Sequence, residues 1–333
     1  MDNFETRRRQ RFLSEQYYDW LLPQLTDDIE YWKNNDSPNG STESERKALA
    51  AMLGATGTYN RFLLEYTAGR SVGELREMLP SLIDTLVHYT ALHRQAKQDS
   101  GMPPLMFGEI GDYEWAVQLI GLCHLLHRTD LLPQISGMLD PFYRAQDTLY
   151  EDLLAYSMDD RYDVDKWFHE KPYRLLINSL YRDSEEESTA DIASYLDAWY
   201  PAMRAASWHD SHLTANQTEG GAYVGYWAVE AAAAAFLLEL DDSSFRDHLL
   251  YPKDLVDFAR SYTSTAMPAP VDDGVLKIRT GQRCPQSGIW RPVGHRVPGV
   301  RVEEGQAMPE VFAPDQRGAY RMQPSVWEYE RPV

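Results

Sequence analysis

The stretch Gly225 to Arg260, GYWAVEAAAAAFLLELDDSSFRDHLLYPKDLVDFAR, constrains this chain more than any other. From Ala222 to Leu238 only Gly225 and Glu230 are not apolar, and Ala231 to Ala235 are five successive alanines. Alanine is the best helix former, and its small side chain lets neighbouring helices approach closely. The pattern predicts a helix packed on nearly all sides, the spine of a domain. Seventeen residues is the short limit for crossing a bilayer. Alanine gains little from lipid and Glu230 would lie near the centre, so a buried helix in a soluble protein is expected instead. A carboxylate among alanines is costly unless paired, and Arg260, His212 or a buried tyrosine hydroxyl are the expected partners of Glu230.

The rest of the chain reads as helices joined by short polar connections. Phe4, Phe12, Trp20, Leu21, Leu25, Ile29 and Trp32 form one apolar stripe, which predicts a single long helix over residues 4–33. NNDSPNGSTES, Asn34 to Ser44, is a loop by composition and ends in an N-cap signal. Further helices are expected from Glu45 to Ala68, from Ser71 onward, from Tyr113 to Arg128, in two short pieces around Pro141, from Tyr173 to Tyr181, over 189–205, over SSFRDHLL behind a cap at Asp242 or Ser243, and from Asp254 to Tyr262. Placing Trp115 on Trp227 also superposes Ala116 on Ala228 and Val117 on Val229, which suggests two related helical halves. After the linker Met267 to Gly274 the character changes: VLKIRTG, GIWRPVG and RVPGVRVEEG read as short strands with turns. The expected organisation is therefore mainly α with a small β-rich module at the end: an N-terminal helical domain over 1–104, a second helical domain over 105–266, and the β-rich module over 275–333.

Charge narrows the choice of partner. The net charge of −19 disfavours nucleic acid and anionic membrane surfaces, which carry the same sign, and favours a basic partner. Residues 277 to 333 hold nine Arg or Lys and six Asp or Glu, so residues 1 to 276 hold the remaining 23 basic and 45 acidic residues. The acids Asp159 and Asp160, then Asp183, Glu185, Glu186 and Glu187, then Asp241 and Asp242, are the candidate docking residues; a solvated face or a helix cap is the alternative reading of each. Two cysteines, Cys123 and Cys284, make no disulfide framework. No apolar stretch follows the basic residues near the N-terminus, so no signal peptide is visible and a cytoplasmic location is expected.

No catalytic set emerges. P-loop, GxGxxG, GxSxG and HExxH motifs are absent from the sequence. His124 and His127, and His209 and His212, have spacings that could share a metal but lack a clear third ligand, and Cys284 with His295 is at most half a zinc site. Neither a metal nor a cofactor is expected. Glu109, Asp112 and Glu114 open a helix, where acids are expected from its dipole. A hydrolase using Glu230 and a helical scaffold or adaptor remain the competing classes.

Trp208, Gly225-Tyr226-Trp227, Glu230, the run Asp241 to Arg246 and the run Tyr251 to Val256 resemble the hallmark segments of the PoNi-type immunity family. The terminal CPQSGIW…EEGQAMP…VWEYE module is similar to an appendage found on assorted toxin-system proteins. The first resemblance implies an immunity protein that neutralises a DNase toxin delivered by polymorphic or type VI secretion systems. Such a protein binds one cognate nuclease tightly and does no chemistry. It implies Trp208, Tyr226, Trp227, Glu230 and Tyr251 as family residues, and either coverage of the toxin's cleft or blocked toxin assembly as the mechanism. Whether the protein forms a homodimer stays open.

Overall fold

The computed structural model describes residues 3–215, 221–262, 276–293, 298–314, 320–323 and 325–332. It divides into two compact units, Met1–Tyr262 and Thr263–Val333. In the first, α1 (Phe4–Arg7), α2 (Glu15–Asn34), α3 (Glu43–Thr67) and α4 (Val72–Lys97) are followed by α5 (Ile110–Leu125), α6 (Leu132–Tyr143), α7 (Thr148–Ala155), α8 (Tyr173–Ser179), α9 (Glu185–Ala202), α10 (Val229–Leu237) and α11 (Lys253–Ser261). Local chemistry sets most of the starts. Ser14, Thr42, Ser71, Asp147 and Ser184 each accept the backbone N–H of the third residue of the helix they precede, and Thr42 with Glu45 and Ser71 with Glu74 close complete capping boxes. Helix α3 packs on α2 and α4, α8 on α9, and α10 on α5. One continuous apolar core runs through the unit from Phe4 to Ala259, so the connector between α4 and α5 does not interrupt it.

Three helices depart from expectation. The single helix over 4–33 is broken between Arg7 and Glu15. Gln10, in the break, is 1% exposed and bonds to residues more than two hundred positions away. Its amide donates to the carbonyls of Tyr226 (2.5 Å) and Leu249 (3.0 Å) and accepts from the Tyr223 hydroxyl (2.5 Å) and the Tyr226 N–H (2.9 Å). Four tertiary hydrogen bonds in a buried setting outweigh the propensity for one more helical turn.

The alanine helix is also shorter than its composition predicts, since only Val229–Leu237 is helical and residues 221–228 are not. Gly225 sits at φ +124°, a conformation a helix cannot contain. Side chains satisfy the backbone there instead: Thr67 Oγ1 donates to the Val224 carbonyl (2.5 Å), Gln10 serves both groups of Tyr226, and Gln118 donates to the Trp227 carbonyl (2.7 Å). Trp227 therefore lies on irregular backbone while Trp115, the residue it superposes on in sequence, lies on α5. Finally, SSFRDHLL is a run of turns and not a helix. Asp241 accepts the N–H and hydroxyl of Ser243, whereas Asp242 is drawn inward by charged partners described below.

In the second unit β1 (Lys277–Arg279), β2 (Gly288–Pro292), β3 (Val300–Val302) and β6 (Val326–Arg331) form an antiparallel sheet in the order β1-β6-β2-β3, and β4 (Val311–Pro314) pairs with β5 (Tyr320–Gln323). Its small core is Cys284, Trp290, Val302, Met308, Val311 and Trp327.

Candidate functional site

Two groups of acids meet in this fold with opposite fates. The family-motif residues turn inward. Glu230, wholly buried in α10, accepts the Tyr195 hydroxyl (2.5 Å) and the Trp199 indole N–H (2.8 Å) on one oxygen, Oε1. Its Oε2 is buried without a hydrogen-bond partner. Of the partners anticipated, the tyrosine hydroxyl is the one found: Arg260 pairs with Asp242, and His212 Nδ1 lies 3.0 Å from the Tyr226 hydroxyl. Trp199 stacks on Trp208 at 5.1 Å, and Trp208 donates to Oε2 of Glu114 (2.7 Å). Glu114 Oε1 accepts from Gln118, whose Oε1 takes the Tyr59 hydroxyl (2.6 Å). The result is a buried polar layer linking α3, α5, α9 and α10. Glu114, read from sequence as one of a group of helix-opening acids, belongs to this layer.

Burial dominates the electrostatics of that layer. It raises the Glu230 carboxyl to about 7, against the opposing pull of the hydrogen bonds from Tyr195 and Trp199. It raises Glu114 well above the usual carboxylate range, and the nearby Glu230 charge adds to the rise. Glu230 is 0% and Glu114 6% exposed, so both carboxyls belong to the interior of the unit.

Asp242 likewise sits inside, 4% exposed, where it accepts Tyr251 (2.9 Å), Arg246 (3.1 Å) and Arg260 (3.2 Å). That arrangement ties the turns after α10 to α11 and leaves Asp242 no free face for a partner, whereas its neighbour Asp241 is exposed. Tyr251 thereby gains its role as the buried hydroxyl of this cluster.

The other acids point outward. Asp183 and the trio Glu185, Glu186 and Glu187 are exposed around the start of α9, three of them in its first turn. Asp159 and Asp160 are exposed in the segment after α7. That segment is irregular but firmly held. The Arg161 side chain, 4% exposed, reaches inward to Asp140 (2.8 and 3.0 Å) and Glu151 (2.8 Å). Thr148 donates to the Val164 carbonyl (2.7 Å), Arg144 to that of Asp160 (2.9 Å), and Asp147 accepts the Phe168 N–H (3.1 Å). No local signal in the sequence marks Arg161, Asp140, Glu151 or Gln10 as tertiary anchors; each works through a partner remote in the chain or on another element.

The histidines are engaged by the fold. His124 Nε2 lies 2.8 Å from the Leu153 carbonyl and His127 Nε2 2.8 Å from that of Ala259. His209 stacks on Tyr200 at 4.3 Å beside a shallow depression of about 540 Å³ lined also by Pro201, Arg204 and Asp210. Cys284 Sγ donates to the Gln286 carbonyl, and His295 lies outside the described residues. Among the described residues no three His, Cys, Asp or Glu side chains group as a metal site would require.

Fold and site together define a mainly α protein that holds Glu114, Glu230 and Asp242 inside and turns Asp159, Asp160, Asp183 and Glu185 to Glu187 outward. Residues 145–255, a third of the chain, match the family described as PoNe immunity proteins (PoNi), C-terminal. This match begins well before the motif residues, taking in the Arg161 segment, α8 and α9, and it ends within α11. No curated protein matches the chain. Among solved structures it is similar in fold to protein PA2201 from Pseudomonas aeruginosa, with a TM-score of 0.60 at 21% identity over 76% of this chain and 90% of that one.

Proposed function

We propose that this chain is the immunity partner of a PoNe-type nuclease toxin, binding the toxin and silencing it by occupation and not by chemistry. The observation that carries this reading is the match of residues 145–255 to the PoNi family. Charge supports it: a domain that cleaves DNA must offer a basic surface to phosphates, and residues 1 to 276 here carry 45 acidic against 23 basic side chains. Opposite potentials speed encounter and fix orientation. The acidic exterior favours covering the toxin's DNA-binding surface over gripping an unrelated face. In this reading the toxin is a DNase carried by type VI secretion, and the protein protects the producing cell from inside the cytoplasm. Among the described residues no helix is long and apolar enough to cross a membrane. The alternative of a hydrolase built on Glu230 is disfavoured by that residue's complete burial.

The test is to express the nuclease encoded beside this gene with and without the chain, then to titrate the purified pair on plasmid DNA. Protection of cells together with loss of cleavage at one equivalent supports the reading. Undiminished cleavage with the chain in excess would refute it. If the toxin's DNA-binding surface is what is covered, a short duplex should compete with the chain for the nuclease; a stable complex of all three would instead favour blocked assembly.

A further inference from the structure

Three exposed large apolar side chains of the helical unit each touch the same buried side chain, that of Tyr143. Phe142, at the end of α6, is 53% exposed; Phe168, at the end of the Arg161 segment, is 40% exposed; and Met106, before α5, is 39% exposed. They are neighbours through Tyr143. The Phe142 and Phe168 rings lie 5.0 and 5.6 Å from the Tyr143 ring, and Met106 Sδ is 4.0 Å from its hydroxyl. Beneath them Phe107 stacks on Tyr143 at 3.8 Å, so the support is rigid aromatic core. Exposed apolar side chains grouped around one such base are the ordinary mark of an interaction site.

The segment that leads into Phe168 is acidic. From Ser157 to Glu170 the chain carries Asp159, Asp160, Asp163, Asp165 and Glu170 against Arg161 and Lys166. Arg161 is consumed internally by Asp140 and Glu151, so it offsets none of the outward charge. The four aspartates are all exposed. Arg144, next to Phe142 and Tyr143, holds the carbonyl of Asp160 and sits over Tyr162 at 5.1 Å, which fastens the acidic segment alongside the apolar one. Because the segment is pinned by Thr148, Asp147 and the Arg161 pairs, a partner would meet a preformed surface and would not bear the entropy of ordering a loop.

We propose that the face of Met106, Phe142 and Phe168, with the aspartates of residues 159–165 along its rim, is where the nuclease docks. This inference rests on the immunity reading and gives it a location. An apolar centre with a charged rim is the usual arrangement of energetic anchors in protein interfaces. The rim selects the occupant: a basic protein domain is attracted to it, whereas a second copy of this chain would set the same four aspartates against one another.

The experiment measures binding of the intact chain to the nuclease encoded beside it, by biolayer interferometry at two salt concentrations. Four variants are compared with the parent: Phe142→Ser, Phe168→Ser, the set D159N/D160N/D163N/D165N, and E185K/E186K/E187K at the start of α9. Each serine variant should weaken the Kd about thirtyfold, mainly through faster dissociation. The asparagine set, which keeps side-chain size and suits the left-handed backbone of Asp160 (φ +60°), should slow association about tenfold at low salt and flatten its salt dependence. Near-UV circular dichroism and melting temperature confirm that folding is retained, and the asparagine set stands as the test should a serine variant fail to fold. Parental binding by the serine and asparagine variants, with loss in the α9 set, would overturn this location and leave the immunity reading intact. Absence of binding by the parent chain itself would overturn both.

Discussion

At the scale of single residues, Glu230 and Glu114 carry the clearest physical consequence. An isolated glutamate titrates near 4.3, whereas burial raises Glu230 to about 7. Between those values the native protein holds a proton that the unfolded chain has released. Stability attributable to this group is therefore complete below the unfolded value and declines as pH rises toward 7. Glu114, raised in the same direction, adds to the trend. Replacing Glu230 by Gln keeps an acceptor for Tyr195 and Trp199 and removes the titration. The Glu230→Gln variant should match the parent at pH 5 and exceed it at pH 8 by up to about 3 kcal/mol in urea denaturation. A variant less stable than the parent at pH 8 would mean that the ionised carboxylate is favourably held.

Among the elements, the segment before α10 and the segment after α7 share a design in which irregular backbone is fixed by side chains from elsewhere. At Gly225 an added Cβ would lie 2.1 Å from Thr67 Oγ1 and 2.5 Å from Trp227 Nε1, and the positive φ is itself unfavourable for alanine. Gly225→Ala should cost on the order of 3 kcal/mol, read as a drop in the midpoint of chemical unfolding. In the second segment Arg161 is the anchor. Arg161→Ala strands Glu151, which is wholly buried, and leaves Asp140 without its cation. The expected loss is about 3 to 5 kcal/mol, with faster amide hydrogen exchange confined mainly to residues 159–168. Unchanged exchange there would show that Thr148 and Asp147 suffice to hold the segment.

For the whole molecule, the division into Met1–Tyr262 and Thr263–Val333, each with its own apolar core, predicts two units that fold separately. A chain ending at Tyr262 should keep the helical circular dichroism of the parent and unfold with the parent's main transition in calorimetry. Loss of helicity on truncation would show that the second unit is needed for the first. The charge follows the same division, since residues 263 to 333 carry nine basic and eight acidic side chains while residues 1 to 262 carry the remaining 23 basic and 43 acidic ones.

What the sequence alone determined is what nearest neighbours along the chain decide. The N-cap signal that ends Asn34 to Ser44, the cap at Ser71, the helical periodicity of α3 and α4, and the switch to Val, Ile and Arg after Gly274 placed a mainly α body and a β-rich end. Charge balance and the run of motif residues pointed to a binding protein. Tertiary structure alone decided where backbone leaves the helix, because Gln10, Thr67 and Gln118 hydrogen-bond residues 221–228 from far along the chain. It also decided which acids are available. Asp242 reads in sequence as one more acid, yet Arg246 and Arg260 take it out of solvent, and of the partners open to Glu230 only the fold selected the Tyr195 hydroxyl and added the Trp199 indole. Asp159 and Asp160 stay outside while Arg161, next in the chain, turns inward to Asp140 and Glu151. The burial of a lone acid such as Asp242 is a property of the assembled core, decided by partners remote in the chain, whereas that of Ala231 to Ala235 was already written in their composition.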